Sequence, residues 1–130
     1  MIRMDIEDED DINKARRRVR GFLSENGIDR YPLLRSYMLT IVSELARNIY
    51  LYAKPGKVNV SMIDEGKKRG IKLEFIDHGP GLDLEKMKKE ELGKNGLGLG
   101  LTGSKSLSDE FSMDSSPGRG THITCIKWIK

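Results

Sequence analysis

Ile71-Lys-Leu-Glu-Phe-Ile-Asp77-His-Gly-Pro-Gly81 reads as a half-buried strand that breaks on a turn. Ile71, Leu73 and Phe75 fall on one side of a two-residue repeat, and Lys72 and Glu74 on the other. Asp77 follows the strand directly and opens Asp-x-Gly-x-Gly. Two readings are open for it. As a turn, the aspartate caps, Pro80 fixes φ and Gly81 supplies positive φ. As a site, a carboxylate at a strand end accepts a hydrogen bond from an exocyclic amine, and the glycines beside it leave room for a flat ring.

Upstream, Lys57 to Ile63 forms a second strand-like run, and the charged stretch Asp64 to Gly70 reads as the hairpin loop between the two. Before it, Pro32 in a first turn and Pro55-Gly56 as a stop bracket a helix running to about Ala53. Leu34, Met38, Ile41, Leu45, Ile49 and Tyr52 make its apolar stripe. An earlier helix runs from a cap at Asp10 or Asp11 to about Asn26, ended by Gly27, with Ile12, Ala15, Val19, Phe22 and Leu23 inward. Arg16, Arg17, Arg18 and Arg20 read as its solvated face, since no aromatic residues interleave them. Ile2 to Ile6 suggests an edge strand.

Downstream, 82–95 is polar, with a short helix expected over Leu84–Glu91. A glycine-rich segment, Gly96 to Gly103, leads into a helix through Lys105, Leu107 and Ser108. Strands over Glu110–Ser115 and His122–Ile129 close the chain. This element order predicts an α+β two-layer sandwich, a mostly antiparallel sheet with helices on one face.

Composition narrows the class. At 130 residues the chain suits one domain, expected to span 1–130. Its 23 Lys/Arg nearly cancel 20 Asp/Glu, and the net charge of +3 is too small and scattered to argue for nucleic acid. No run approaches the ~18 apolar residues of a membrane span. The single cysteine, Cys125, excludes a disulfide framework and a cysteine-cluster metal site, and it is expected to pack in the core. Met1 to Asp11 is acidic and lacks a signal-peptide core, so a cytoplasmic protein is expected. Glycine, 14 residues, is the informative excess, because it gathers in a few short loops of the second half.

Four motifs carry the chemistry. Glu44 and Asn48 stand four apart on one helix face, either a polar edge or a pair addressing a hard cation and a reacting hydroxyl. Oxygen ligands of this kind suit magnesium with phosphate better than zinc. Asp77-x-Gly79-x-Gly81 comes second. The third is Gly96-Leu97-Gly98-Leu99-Gly100-Leu101. Within it Gly98-x-Gly100-x-x-Gly103 satisfies a dinucleotide fingerprint, but a long polar loop, not a strand, precedes it, so a Rossmann site is rejected. A P-loop fails too, because Ser104 stands before Lys105. Glycine amides ahead of a helix still bind phosphate. Last, Gly118-x-Gly120-Thr121 lies at a strand entrance, a hairpin or a hydroxyl offered to a ligand. His78 and His122 lack metal-ligand spacing.

In this order the motifs resemble the N, G1, G2 and G3 boxes of the GHKL (Bergerat-fold) ATP-binding superfamily of gyrase, Hsp90, histidine kinases and MutL. Within it, essentially the whole chain resembles the small bacterial anti-sigma-factor serine/threonine kinases of the stressosome type. Ser43-Glu-Leu-Ala-Arg-Asn-Ile-Tyr-Leu-Tyr-Ala53, Asp77-His-Gly-Pro-Gly81 and Asp109-Glu-Phe carry that likeness. The resemblance implies ATP and Mg2+ as cofactors, with Asn48 on the magnesium. It implies that Asp77 accepts from the adenine amine in a pocket completed by Gly79, Gly81 and Thr121. Gly96, Leu97, Gly98, Leu99, Gly100 and Leu101 would hold phosphate through backbone amides, and Glu44 would be the general base. Arg47 would meet phosphate, meet the acceptor protein, or be a surface charge. Residues 83–95 correspond to the lid, where Glu91-Leu-Gly-Lys-Asn95 departs from the serine and glycine usual in relatives.

The implied activity is a protein serine/threonine kinase acting on a STAS-domain antagonist or scaffold protein. Once released, it would activate a PP2C-type phosphatase, as a monomer when free, with neither nucleic acid nor membrane as partner. The alternatives are an anti-sigma factor that binds a sigma factor directly, and a nucleotide-binding switch module without kinase activity.

Overall fold

The strand that Ile71 to Ile76 marks continues past both of its expected ends. A computed structural model describes residues 1–79 and 103–129. In it β1 (Ile2–Ile6), β2 (Gly56–Glu65), β3 (Lys68–Asp77), β4 (Glu110–Ser115) and β5 (Thr121–Ile129) form one sheet in the order β1-β2-β3-β5-β4. Every neighbouring pair is antiparallel. The β2–β3 connection is a two-residue turn at Gly66-Lys67, shorter than the expected 64–70 loop. The charged residues of that stretch hid the strands, yet they stabilise them: Asp64 faces Arg69 and Glu65 faces Lys68 across the ladder. Gly66, at φ +63°, supplies the left-handed backbone that so tight a turn requires.

Helix α1 (Asp10–Glu25) ends where Gly27 takes φ +79°. Its start differs from expectation. Glu9 stands at the cap position without a side-chain bond, and Asp11 instead reaches back, accepting from the amides of Glu7 (2.9 Å) and Asp8 (3.0 Å). Those bonds, Asp8 first, hold its carboxyl below the usual range. A single 3₁₀ turn at Ile28–Arg30 leads to α2 (Pro32–Asn48), with Pro32 in the first turn. The expected helix reaches Ala53, but Ile49–Ala53 is wound as a π-turn. The wider turn breaks the three-and-four spacing, so Tyr52 leaves the apolar stripe and stands 48% exposed. The α3 helix, 103–107, precedes β4, and Ser108 Oγ donates to the Ser104 carbonyl at 2.7 Å.

Both long helices cover one sheet face. Ile12, Ala15, Val19 and Leu23 of α1 and Met38, Ile41, Val42 and Leu45 of α2 meet Val58, Val60, Leu73, Phe75, Ile123 and Cys125 in one core. Cys125 is buried there, and burial pushes its thiol up to about 11. The opposite face carries polar pairs, such as His122 with Glu74 at 3.0 Å. Trp128 lies there over Gly70, and its indole donates to Glu110 at 2.8 Å. Among the described residues no helix is long and apolar enough to cross a membrane.

Ile41 is fully buried. Ile41→Ala should lower unfolding free energy by about 2–5 kcal/mol in urea titrations. Leu33→Ala, at a side chain 64% exposed, should stay within about 0.5 kcal/mol of the wild type.

Candidate functional site

The end of β3, the start of β5 and the end of α2 converge. In the ladder Asp77 faces Gly56 on one side and Thr121 on the other. Gly120 crosses so close that a Cβ there would stand 2.2 Å from the Asp77 carbonyl oxygen, at a φ of +79°. Gly79 is pressed on the π-turn, where a Cβ would meet that of Ala53 at 2.7 Å. Gly56 leaves room for Ile49 in the same way. These contacts tie the end of the helix bearing Asn48 to the strand end bearing Asp77.

Asp77 is 8% exposed and accepts from the backbone N–H of Gly79 at 3.0 Å and from the backbone of Thr121. Burial pushes its carboxyl above the ordinary range, and those two amides pull the other way. A carboxylate has about four acceptor positions, so two amides leave it able to take a further donor. Thr121 is buried beside it, its hydroxyl 2.7 Å from that of Ser115, which in turn donates to the Gly120 carbonyl at 3.1 Å. A cavity of about 370 Å³ opens here, lined by Asp77, His78, Ser115, Arg119 and Thr121 among others.

Asn48 is the last residue of α2, and its Nδ2 is buried with no partner among the described residues. A buried amide without a partner is costly. Turning it exchanges oxygen for nitrogen at the same shape, so the slot can present an acceptor to a cation. As one oxygen donor, Asn48 is compatible with a hard cation that takes its other ligands from water and phosphate. Glu44 and Arg47 stand exposed on α2. Arg47 lines a different cavity, with Tyr50, Leu51 and Glu9, and neither Glu44 nor Arg47 lines the one at Asp77. Gly81, Gly96, Leu97, Gly98, Leu99, Gly100, Leu101 and the short helix expected over Leu84–Glu91 lie outside the described residues.

Sequence reasoning missed Ser115 and Ser104. Ser115 has no motif signal and is found only through its register opposite Thr121. Ser104, buried with its hydroxyl unpartnered among the described residues, follows the glycine-rich segment directly.

The family described as "Histidine kinase-, DNA gyrase B-, and HSP90-like ATPase" matches residues 35–129. The chain belongs to this family. The chain is 41% identical over 122 residues to the serine/threonine-protein kinase RsbT of Bacillus subtilis (strain 168), covering 92% of this chain and 90% of that protein. It is 32% identical over 98 residues to the anti-sigma F factor of Thermoanaerobacter sp. (strain X514), covering 69% and 67%. Among solved structures, the mycobacterial sensor histidine kinase MprB superposes with a TM-score of 0.53 over 72% of this chain and 71% of that one. At 21% identity that likeness shows the fold alone. The two-layer architecture expected from the sequence is the architecture of this family.

A group whose folded pKa is raised contributes most to stability below its unfolded pKa, and that contribution is lost as pH rises through the folded value. Relative to D77N, the wild type without nucleotide should therefore lose stability between about pH 4 and about pH 7. Denaturant midpoints of both proteins at the two pH values measure this.

Proposed function

We propose that the chain is a protein serine/threonine kinase that uses Mg·ATP to phosphorylate a STAS-domain antagonist or scaffold protein. The observation that carries the reading is the 41% identity to RsbT across 92% of the chain. The chemistry at Asp77 and Asn48 supports it. In this reading the Asp77 carboxylate accepts from the adenine amine, with Gly79 and Gly81 leaving space for the ring and Thr121 closing the pocket. Asn48 would hold Mg2+ through its amide oxygen, and the ion would supply charge neutralisation at the phosphates. The amides of Gly96, Leu97, Gly98, Leu99, Gly100 and Leu101 cradle those phosphates.

Glu44 stands one helical turn before Asn48 and is exposed, open to an incoming protein. It receives the proton of the acceptor hydroxyl as that oxygen bonds to the γ-phosphorus and ADP departs. Transfer of this kind rests mostly on positioning and charge, so one base beside one cation suffices. Arg47, on the same exposed stripe, meets the phosphate or the acceptor. After transfer the kinase leaves its scaffold and activates a PP2C-type phosphatase. The protein acts in the cytoplasm and is a monomer when free. The likeness to anti-sigma F factors supports a second reading, direct binding of a sigma factor.

Labelled phosphate should pass from Mg·ATP to a serine or threonine of a STAS-domain protein from the same organism. Glu44→Ala should abolish transfer by about 10²-fold or more while leaving ATP binding intact. Transfer undiminished in that variant removes Glu44 from the mechanism, and capture of a sigma factor without transfer favours the second reading.

A further inference from the structure

Ser115 ends the edge strand β4 directly opposite Thr121. Its hydroxyl oxygen lies 3.1 Å from the Gly120 carbonyl oxygen and 2.7 Å from the Thr121 hydroxyl oxygen. A hydroxyl carries one proton, and a carbonyl can only accept. Both contacts are hydrogen bonds in one assignment: Thr121 donates to Ser115, and Ser115 donates to Gly120. The Thr121 proton is then committed, and its oxygen keeps only lone pairs for the cavity that Thr121 lines.

The bond to Gly120 also reaches Asp77. The Gly120–Thr121 peptide is trans and planar, so its C=O and N–H point in opposite directions. Ser115 holds the carbonyl side of this unit, and the amide side donates to the Asp77 carboxylate. Gly120, at φ +79°, has no side chain to restrain the peptide, so the Ser115 bond adds a hold that the residue type lacks. One side chain thus fixes two groups at the cavity, the amide on the Asp77 carboxylate and the hydroxyl beside it. Ser115 is half-buried and lines the same cavity.

We propose that Ser115 is a positioning residue for base selectivity, holding the Gly120–Thr121 peptide on Asp77 and making Thr121 an acceptor. Asp77 and Thr121 then both offer oxygen lone pairs, which accept from an exocyclic amine and repel a carbonyl in its place. A freely turning Thr121 hydroxyl would donate to that carbonyl and weaken the discrimination. This role rests on the adenine reading of the Asp77 site.

The test measures dissociation constants of the full chain for Mg·ATP and Mg·ITP, whose base carries a carbonyl where adenine carries the amine. The wild type should prefer ATP by about tenfold or more. Ser115→Ala should weaken ATP by about three- to tenfold and leave ITP unchanged or tighter, so that the preference shrinks. S115T, which keeps the hydroxyl, should retain the wild-type preference within about twofold, as should S112A at an exposed serine of the same strand. Without nucleotide, the Thr121 amide should exchange with deuterium about tenfold faster in S115A. Equal weakening of both nucleotides in S115A overturns the assignment, as does an unchanged exchange rate at Thr121. A wild type that binds ATP and ITP alike overturns the adenine reading, and the selectivity role with it. A full preference kept in S115A overturns the role of Ser115 alone.

Discussion

The approach of Gly120 to the carbonyl of Asp77 is the constraint around which the rest is arranged. No side chain fits between the two backbones, and the φ of +79° at Gly120 rules out an easy replacement. That contact sets where β5 begins, holds the Thr121 amide against the Asp77 carboxylate, and leaves Asp77 buried with acceptor capacity to spare. Gly79 against Ala53 and Gly56 against Ile49 repeat the device on the helix side. Three glycines, each removing a Cβ from a crowded junction, bring the ends of α2, β3 and β5 together. The core behind them, which includes Phe75, Ile123, Leu45 and Ile41, keeps the junction from relaxing.

The π-turn at Ile49–Ala53 belongs to the same arrangement. An α-helix continued to Ala53 keeps Tyr52 on the apolar stripe. The wider turn puts Tyr52 outside, keeps Ile49 buried against Gly56, and brings Ala53 onto Gly79. It follows directly on Asn48, whose amide is left without a partner among the described residues. Irregular winding next to an unmet polar group commonly marks a functional position.

Much of this was legible in the sequence. Period-two alternation in Ile71 to Ile76 and helical spacing in Ile12 to Leu23 and Leu34 to Ile49 reflect burial on one side, which sequence records directly. The order of the four motifs identified the family. The β2–β3 loop is read too long from sequence because Asp64, Glu65, Lys68 and Arg69 carry charge where strands usually carry apolar residues; their cross-strand pairing is visible only once register is known. The reach of Asp11 back to Glu7 and Asp8, and the Ser115–Thr121 contact, depend on tertiary geometry that no local spacing encodes. The arginines of α1 read as a solvated face, and exposed they are. The convergence of Arg16, Arg17 and Arg20 on a cavity with Leu39 depends on the packing of α1 against α2.

The most direct measurement of the account compares stabilisation by Mg·ATP and Mg·GTP in the wild type and in D77N. Adenine carries an exocyclic amine at the position that the proposed reading sets against the Asp77 carboxylate, where guanine carries a carbonyl. ATP at a hundredfold excess over its dissociation constant should stabilise the wild type by about 2.7 kcal/mol. GTP at the same concentration should do little, and D77N should lose most of the ATP effect. Equal stabilisation by both nucleotides, or an undiminished ATP effect in D77N, would contradict adenine recognition at Asp77.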